Sequence, residues 1–142
     1  MSKKSGKIAA LIESCRGQQQ DAHYLGYFAC FNRGLFYEAH DVLEELWLTD
    51  RHGPDGAFYK GMIQLAGAFV HLQKNRLQPA ASLFKLAYAN LEKYPPSHQG
   101  LNIAGVRATI EFWLHGLATG QFASNPLTAT TLPKLCLPDG GE

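Results

Sequence analysis

Apolar residues recur along most of this chain at intervals of three and four, the spacing that places them on one face of an α-helix. The chain has 142 residues, a length that suits one domain. Turn residues such as Asn, Gly and Pro separate the periodic stretches. The pattern predicts five helices, over residues 21–33, 35–48, 57–74, 77–93 and 101–119.

These segments predict an all-α fold, a compact single-domain bundle of about five helices built from helical hairpins. We expect the bundle to span residues 21–119, between an N-terminal extension over 1–20 and an irregular C-terminal tail over 120–142. Lys7–Cys15 could form a further short helix. The alternation typical of β-strands is absent. Three leucines of the tail are expected to lie along the body, namely Leu132, Leu135 and Leu137.

The second predicted helix divides its polar residues into two sets. At about 100° per residue, His40 and Glu44 lie at the border of the apolar face, beside Trp47. A polar pair at this border is either a structural hydrogen bond or part of a functional site. The other acidic side chains of the helix are expected to face solvent: Glu38, Asp41 and Glu45.

Two later helices carry a polar stripe on a largely apolar circumference. Burying an unpaired charge is costly, so we expect the border of the second helix to pack against the stripe of the third, with Glu44 accepting hydrogen bonds from Lys60 or Gln64. The candidate groove comprises His40, Glu44, Trp47, Lys60, Gln64 and His71. The stripe of the fifth helix gives secondary candidates, namely Arg107, Glu111 and His115. The alternative is that both stripes are solvated surfaces, the second carrying a ladder of weak ion pairs.

A metal centre is the main alternative chemistry. His40 and Glu44 are spaced to bind one ion from a single helical turn, but a third ligand would have to come from another helix. The HExxH pattern of zinc proteases is absent. Lys60 and Arg107 would repel a divalent ion and suit an anionic group better. We therefore expect a binding groove, with no metal and no other cofactor.

The overall composition narrows the class of protein. Thirteen basic and twelve acidic side chains give a net charge of +1, whereas proteins that mainly hold nucleic acid are usually more basic. The three cysteines are widely spaced and form no pair typical of a disulfide framework or zinc site. No apolar run reaches the length that spans a bilayer, and no signal peptide is recognisable. We expect a cytoplasmic protein that contacts neither nucleic acid nor membrane.

Two motifs resemble one known family. Phe31-Asn32-x-Gly34 is followed by Glu38-Ala39-His40-Asp41-x-Leu43-Glu44-x-x-Trp47, and then by Lys60-Gly61-x-Ile63-Gln64-Leu65-Ala66. Together these runs resemble the signature of the Domain of Unknown Function 309 family, over about Tyr24 to Leu117. The resemblance implies a small all-helical protein of the kind found in bacteria and archaea, and brings no activity with it. In that family Glu usually follows the histidine, so Asp41 departs from the pattern.

Two classes of function follow. The first is a binding or interaction module whose polar and aromatic groove recognises a small anionic ligand or a segment of a partner protein. The second is a small hydrolase-like or metal-assisted enzyme that uses His40 and Glu44 as an acid–base pair or as ligands. We favour the first class because no motif demands a reaction. Self-association into a homo-oligomer is compatible with either class.

Overall fold

The protein folds as a helical bundle, seen in a computed structural model that describes residues 21–136. The predicted all-α fold of about five helices is confirmed within this part of the chain. The helices are α1 (Ala22–Phe31), α2 (Phe36–Asp50), α3 (Gly56–Gln73), α4 (Leu77–Leu91) and α5 (Ile103–Thr119).

A tight turn with a left-handed residue joins α1 to α2, and another joins α3 to α4. Gly34 has φ 75°, and this conformation costs glycine nothing because it has no Cβ. The N–H of Leu35 donates to the carbonyl of Cys30 at 3.0 Å, and that of Gly34 to Phe31 at 2.9 Å. These two bonds form a Schellman motif, which ends α1 and lets α2 begin at once. Asn75, at φ 58°, has the same role between α3 and α4.

Helix α3 is the centre of the bundle. It packs against α2 on one side and α4 on the other, while α1 packs on α2 and α5 on α4. Phe69 of α3 is fully buried, and its ring centroid lies 5.0–5.6 Å from the centroids of four other rings, which come from α1, α2, α4 and α5: Phe31, Phe36, Phe84 and Trp113. Aromatic packing therefore joins all five helices through one side chain.

A short β-hairpin with two residues in each strand precedes α5. The sequence did not predict it, because the alternation typical of strands is absent. Strand β1 (Ser97–His98) pairs antiparallel with β2 (Leu101–Asn102). Gln99 and Gly100 form the loop with φ 50° and 74°, as a type I′ turn requires. Strands of two residues are too short to show alternation in a sequence.

Asp55, just before α3, holds this hairpin against the bundle. Its two carboxylate oxygens lie 2.6 Å from His98 Nε2 and 3.0 Å from Gln99 Nε2. The same Gln99 amide donates to the hydroxyl of Tyr59 at 2.9 Å. The contacts link β1 and its turn to α3 across some forty positions of sequence.

The tail is irregular and crosses the surface near the α1–α2 turn. Asn32 accepts from the N–H of Leu135 at 2.6 Å and donates to its carbonyl at 2.8 Å. Leu135 is 8% exposed and Leu132 36% exposed. The predicted Lys7–Cys15 helix and Leu137 lie outside the described residues, and the division into extension, bundle and tail stays a prediction. Among residues 21–136 there is no helix with both the length and the apolar character that crossing a membrane requires.

Candidate functional site

A cavity of about 300 Å³ opens between α2, α3 and α4. Helix α3 forms its floor, because the stripe that the sequence shows as polar also contains Gly67, whose missing side chain leaves room. Leu83 of α4 closes the far wall. The lining residues are Tyr37, His40, Lys60, Ile63, Gln64, Gly67, Val70, His71 and Leu83.

Lys60 brings an unneutralised positive charge to this cavity. Its Nζ lies 4.5 Å from the centroid of the Trp47 ring, within the range of a cation–π contact. No ion pair joins Lys60 to a carboxylate anywhere in residues 21–136. Trp47 thus positions the lysine without cancelling its charge.

Two histidines face the same cavity with hydrogen-bonding capacity to spare. The Nδ1 atoms of His40 and His71 are buried and have no partner in the described part of the chain. The ring of His40 stacks on that of Tyr37, with centroids 6.2 Å apart. Burial, followed by the charges of Arg76 and Lys74, lowers the pKa of His71 below its ordinary value. A lowered pKa favours the neutral ring, which can both donate and accept a hydrogen bond.

Gln64 is fixed by a residue that the sequence did not single out. Its Oε1 accepts a hydrogen bond from Asn90 Nδ2 of α4 at 2.8 Å, and Lys93 Nζ donates to Asn90 Oδ1 at 3.1 Å. The amide nitrogen of Gln64 makes no hydrogen bond within residues 21–136. The contact to Asn90 orients Gln64 at the cavity and leaves a donor for a bound molecule.

The expected hydrogen bonds from Lys60 or Gln64 to Glu44 are not formed in the described residues. Glu44 is half-buried and does not line the cavity. The prediction that Asp41 faces solvent is wrong, because Asp41 is only 8% exposed. Glu45, also expected to face solvent, lies 3.2 Å from His23 of α1 and is half-buried.

Asp41 and Glu45 are less exposed than expected because α2 has two neighbouring helices. It is covered by α3 on one side and by α1 on the other, so its buried arc is wider than its apolar stripe. Asp41 falls inside that arc, adjacent to the border pair. The ligand atoms of three side chains consequently lie within 4.8 Å of one another: His40, Asp41 and Glu44.

The secondary candidates do not join the cavity. The guanidinium of Arg107 lies 5.7 Å from the centroid of the Tyr88 ring, and the Tyr88 hydroxyl donates to Glu111 at 3.1 Å. His115 is exposed and lines a separate hollow beside Phe112. The ladder of ion pairs, which was the alternative expected from the sequence, is not formed among residues 21–136 either. This stripe is organised around Tyr88 of α4 instead.

Residues 24–83 match the model of the family described as Domain of unknown function (DUF309). The predicted resemblance to this family is confirmed over these residues. An uncharacterized protein of Aquifex aeolicus (strain VF5) is 31% identical over 81 residues, which are 57% of this chain and 24% of that protein. The chain therefore spans about a quarter of the length of this relative. No solved structure matches the chain.

The DUF309 match contains the whole cavity. Every lining residue from Tyr37 to Leu83 falls inside it, as do Asp41, Glu44 and Trp47. The secondary stripe on α5 lies outside it. Reasoning from the sequence missed Asp41 as a neighbour of the border pair, Leu83 as a wall and Asn90 as the partner of Gln64. None of the three carries a local signal, since each is placed by contacts between helices.

Proposed function

We propose that this protein is a small binding module whose cavity between α2, α3 and α4 takes a small molecule with an anionic group, such as a carboxylate. The observation that carries this proposal is the set of polar groups around the cavity. Lys60 supplies a positive charge without a carboxylate partner in the described residues, and His40 and His71 supply unpartnered buried nitrogen atoms.

The dimensions favour a small molecule over a segment of a partner protein. A volume of about 300 Å³ is at the lower end of the range for small-molecule sites, and a helix of about 10 Å diameter would not enter it. Ile63, Val70 and Leu83 give apolar walls. Such a site buries the hydrocarbon part of a ligand while a few polar groups fix its anionic end.

The electrostatics favour a carboxylate over a neutral group. A hydrogen bond from an ammonium to a carboxylate contributes about 1.5–3 kcal/mol, roughly twice a neutral one. The lowered pKa of His71 keeps its ring neutral, so it adds a hydrogen bond without a second charge. Gln64 and Tyr37 add further donors at the same wall.

Catalysis by His40 and Glu44 is the second candidate function. The observation that favours it is that their ligand atoms lie within 4.8 Å of each other and of Asp41. That distance allows a proton to pass between them through a small rotation or one water molecule. A hydrolase-like enzyme would need an activated water, which a metal ion could supply.

The same proposal includes the cellular compartment and the class of ligand. We place the module in the cytoplasm, acting on a small metabolite and not on nucleic acid or a membrane surface. The near-neutral charge of the chain supports this choice of partner. Recognition of a protein segment and formation of a homo-oligomer are further variants of this proposal.

The test is a ligand-observed NMR screen of the full chain against small mono- and dicarboxylates and size-matched amides. We expect carboxylates to bind and the amides to bind at least about tenfold more weakly, a difference of about 1.4 kcal/mol. Lys60→Gln should remove this preference. Lys85→Gln is the matched control, because Lys85 is exposed on the other side of α4 and loses the same charge.

A steric variant gives a second readout that leaves the charges unchanged. A Cβ at Gly67 would lie 3.1 Å from Leu83 Cδ1, so a larger side chain must either enter the cavity or move Leu83. Gly67→Leu is expected to abolish carboxylate binding while the helix content by circular dichroism is kept. Equal binding of amides and carboxylates, or equal losses in Lys60→Gln and Lys85→Gln, would contradict the proposal.

A further inference from the structure

We propose that His40, Asp41 and Glu44 form a binding site for one divalent transition-metal ion at the edge of the cavity. All three residues come from little more than one turn of α2. Their ligand atoms lie within 4.8 Å of one another. The proposal does not require that the cavity binds a carboxylate, because none of the three depends on Lys60 or His71.

The separation of the three groups suits an ion after small side-chain rotations. Metal–ligand bonds to imidazole nitrogen and carboxylate oxygen are about 2.0–2.2 Å long, so adjacent ligands around one ion are separated by about 3.0–3.6 Å. Closing from 4.8 Å to that range needs rotation about side-chain bonds and no movement of the helix. A rigid α-helix keeps the three Cα positions fixed while this happens.

The surroundings of Asp41 are a second observation that favours a bound cation. Only 8% of the residue is exposed. No hydrogen bond or ion pair joins it to any residue of the part of the chain that the structure describes. An acidic residue that is largely buried is normally paired or bound to a metal. The carboxylate of Asp41 lies within 4.8 Å of the ligand atoms of His40 and Glu44.

The surrounding charges support the same conclusion. Asp41 and Glu44 are two acidic groups close together, an arrangement that is unfavourable without a cation between them. Lys60, the cation expected to neutralise Glu44, lies over Trp47 instead. His40 also has a buried Nδ1 without a partner in residues 21–136. A divalent ion would neutralise both carboxylates and use one nitrogen of the imidazole.

The donor set selects the class of metal. One imidazole nitrogen with two carboxylate oxygens suits manganese, iron(II) or zinc, whereas magnesium and calcium prefer oxygen alone and copper prefers more nitrogen or sulfur. Three protein ligands leave at least one coordination position for water or for an anionic group. His40 lines the cavity, so that position is next to the space where a ligand would lie.

The experiment uses the full chain, with any affinity tag removed and metal stripped by chelator. Zinc and manganese are titrated by calorimetry, and manganese binding is followed by electron paramagnetic resonance. We expect one ion per chain. Asp41→Asn and Glu44→Gln should each weaken binding at least about tenfold, since even loss of an outer-shell partner of a metal ligand costs that much. Glu38→Gln removes an acidic charge from the same helix outside the cluster and should leave binding unchanged.

The outcomes separate this site from the carboxylate cavity. Lys60→Gln should keep the metal and lose the carboxylate preference, whereas Glu44→Gln should lose the metal. Circular dichroism checks that each variant folds, and if Asp41→Asn does not fold, Glu44→Gln decides. Absence of saturable binding at one ion per chain would overturn the proposal. Equal weakening of metal binding by Glu38→Gln and Glu44→Gln would also overturn it, because binding would then depend only on the overall negative charge of the helix.

Discussion

Replacing Asp41 by asparagine is expected to stabilise the metal-free protein, which is unusual for a buried position. The substitution keeps the shape of the side chain and removes its charge. Asp41 is 8% exposed and is not paired with any cation in the described residues. Its carboxylate lies within 4.8 Å of the carboxylate of Glu44. An asparagine amide in the same place can donate a hydrogen bond to Glu44 instead of repelling it.

The magnitude follows from Coulomb's law. Two unit charges 4.8 Å apart repel by roughly 3.5 kcal/mol at an effective dielectric constant of about 20. Glu44 is half-exposed, so water and salt screen much of this repulsion. We therefore expect Asp41→Asn to raise the free energy of unfolding by about 1 kcal/mol, or the Tm by about 3 °C.

The measurement is a pair of denaturant and thermal melts in the presence of chelator, repeated with added zinc. Glu38→Gln is the control, because it removes one acidic charge from the first turn of α2, where the helix dipole favours an acid. The control should be neutral or slightly destabilising. Zinc should raise the Tm of the wild type and not that of Asp41→Asn. A loss of more than about 1 kcal/mol in chelator for Asp41→Asn would refute the reasoning, since Asp41 would then make favourable contacts that the geometry does not show.

Two further predictions concern the core and the cavity. Tyr27→Phe should destabilise the protein by about 1–2 kcal/mol in denaturant melts, because the buried hydroxyl donates to the carbonyl of Met62 at 2.7 Å; the same change at Tyr37, 55% exposed, should cost less than about 0.5 kcal/mol. Burial lowers the pKa of His71 below its ordinary 6.5, so the unfolded chain binds the proton more readily and stability is lost as the pH falls below about 6.5. His71→Gln should accordingly lose less stability than the wild type between about pH 7 and about pH 5, and an equal loss in both proteins would show that His71 does not contribute.

The sequence alone determined where the helices lie and which segment carries the candidate site. Helical periodicity and turn residues act locally, so Gly34 and Asn75 ended their helices where their backbone preferences required. The phase of α3 placed Lys60, Gln64 and His71 on one side, and all three line one cavity. These features depend only on residues within one or two turns of one another, which is why they can be read without a structure.

Only the tertiary structure decided which polar groups meet. The burial of a side chain depends on how many neighbouring helices cover it, and α2 is covered by both α1 and α3. Asp41 was therefore buried beside Glu44, although its phase alone assigned it to solvent. Arg107 was drawn to Tyr88 of α4 and away from the cavity. Helical phase specifies a direction around one axis, whereas the candidate site arises where several helices converge, and no single helix encodes that convergence.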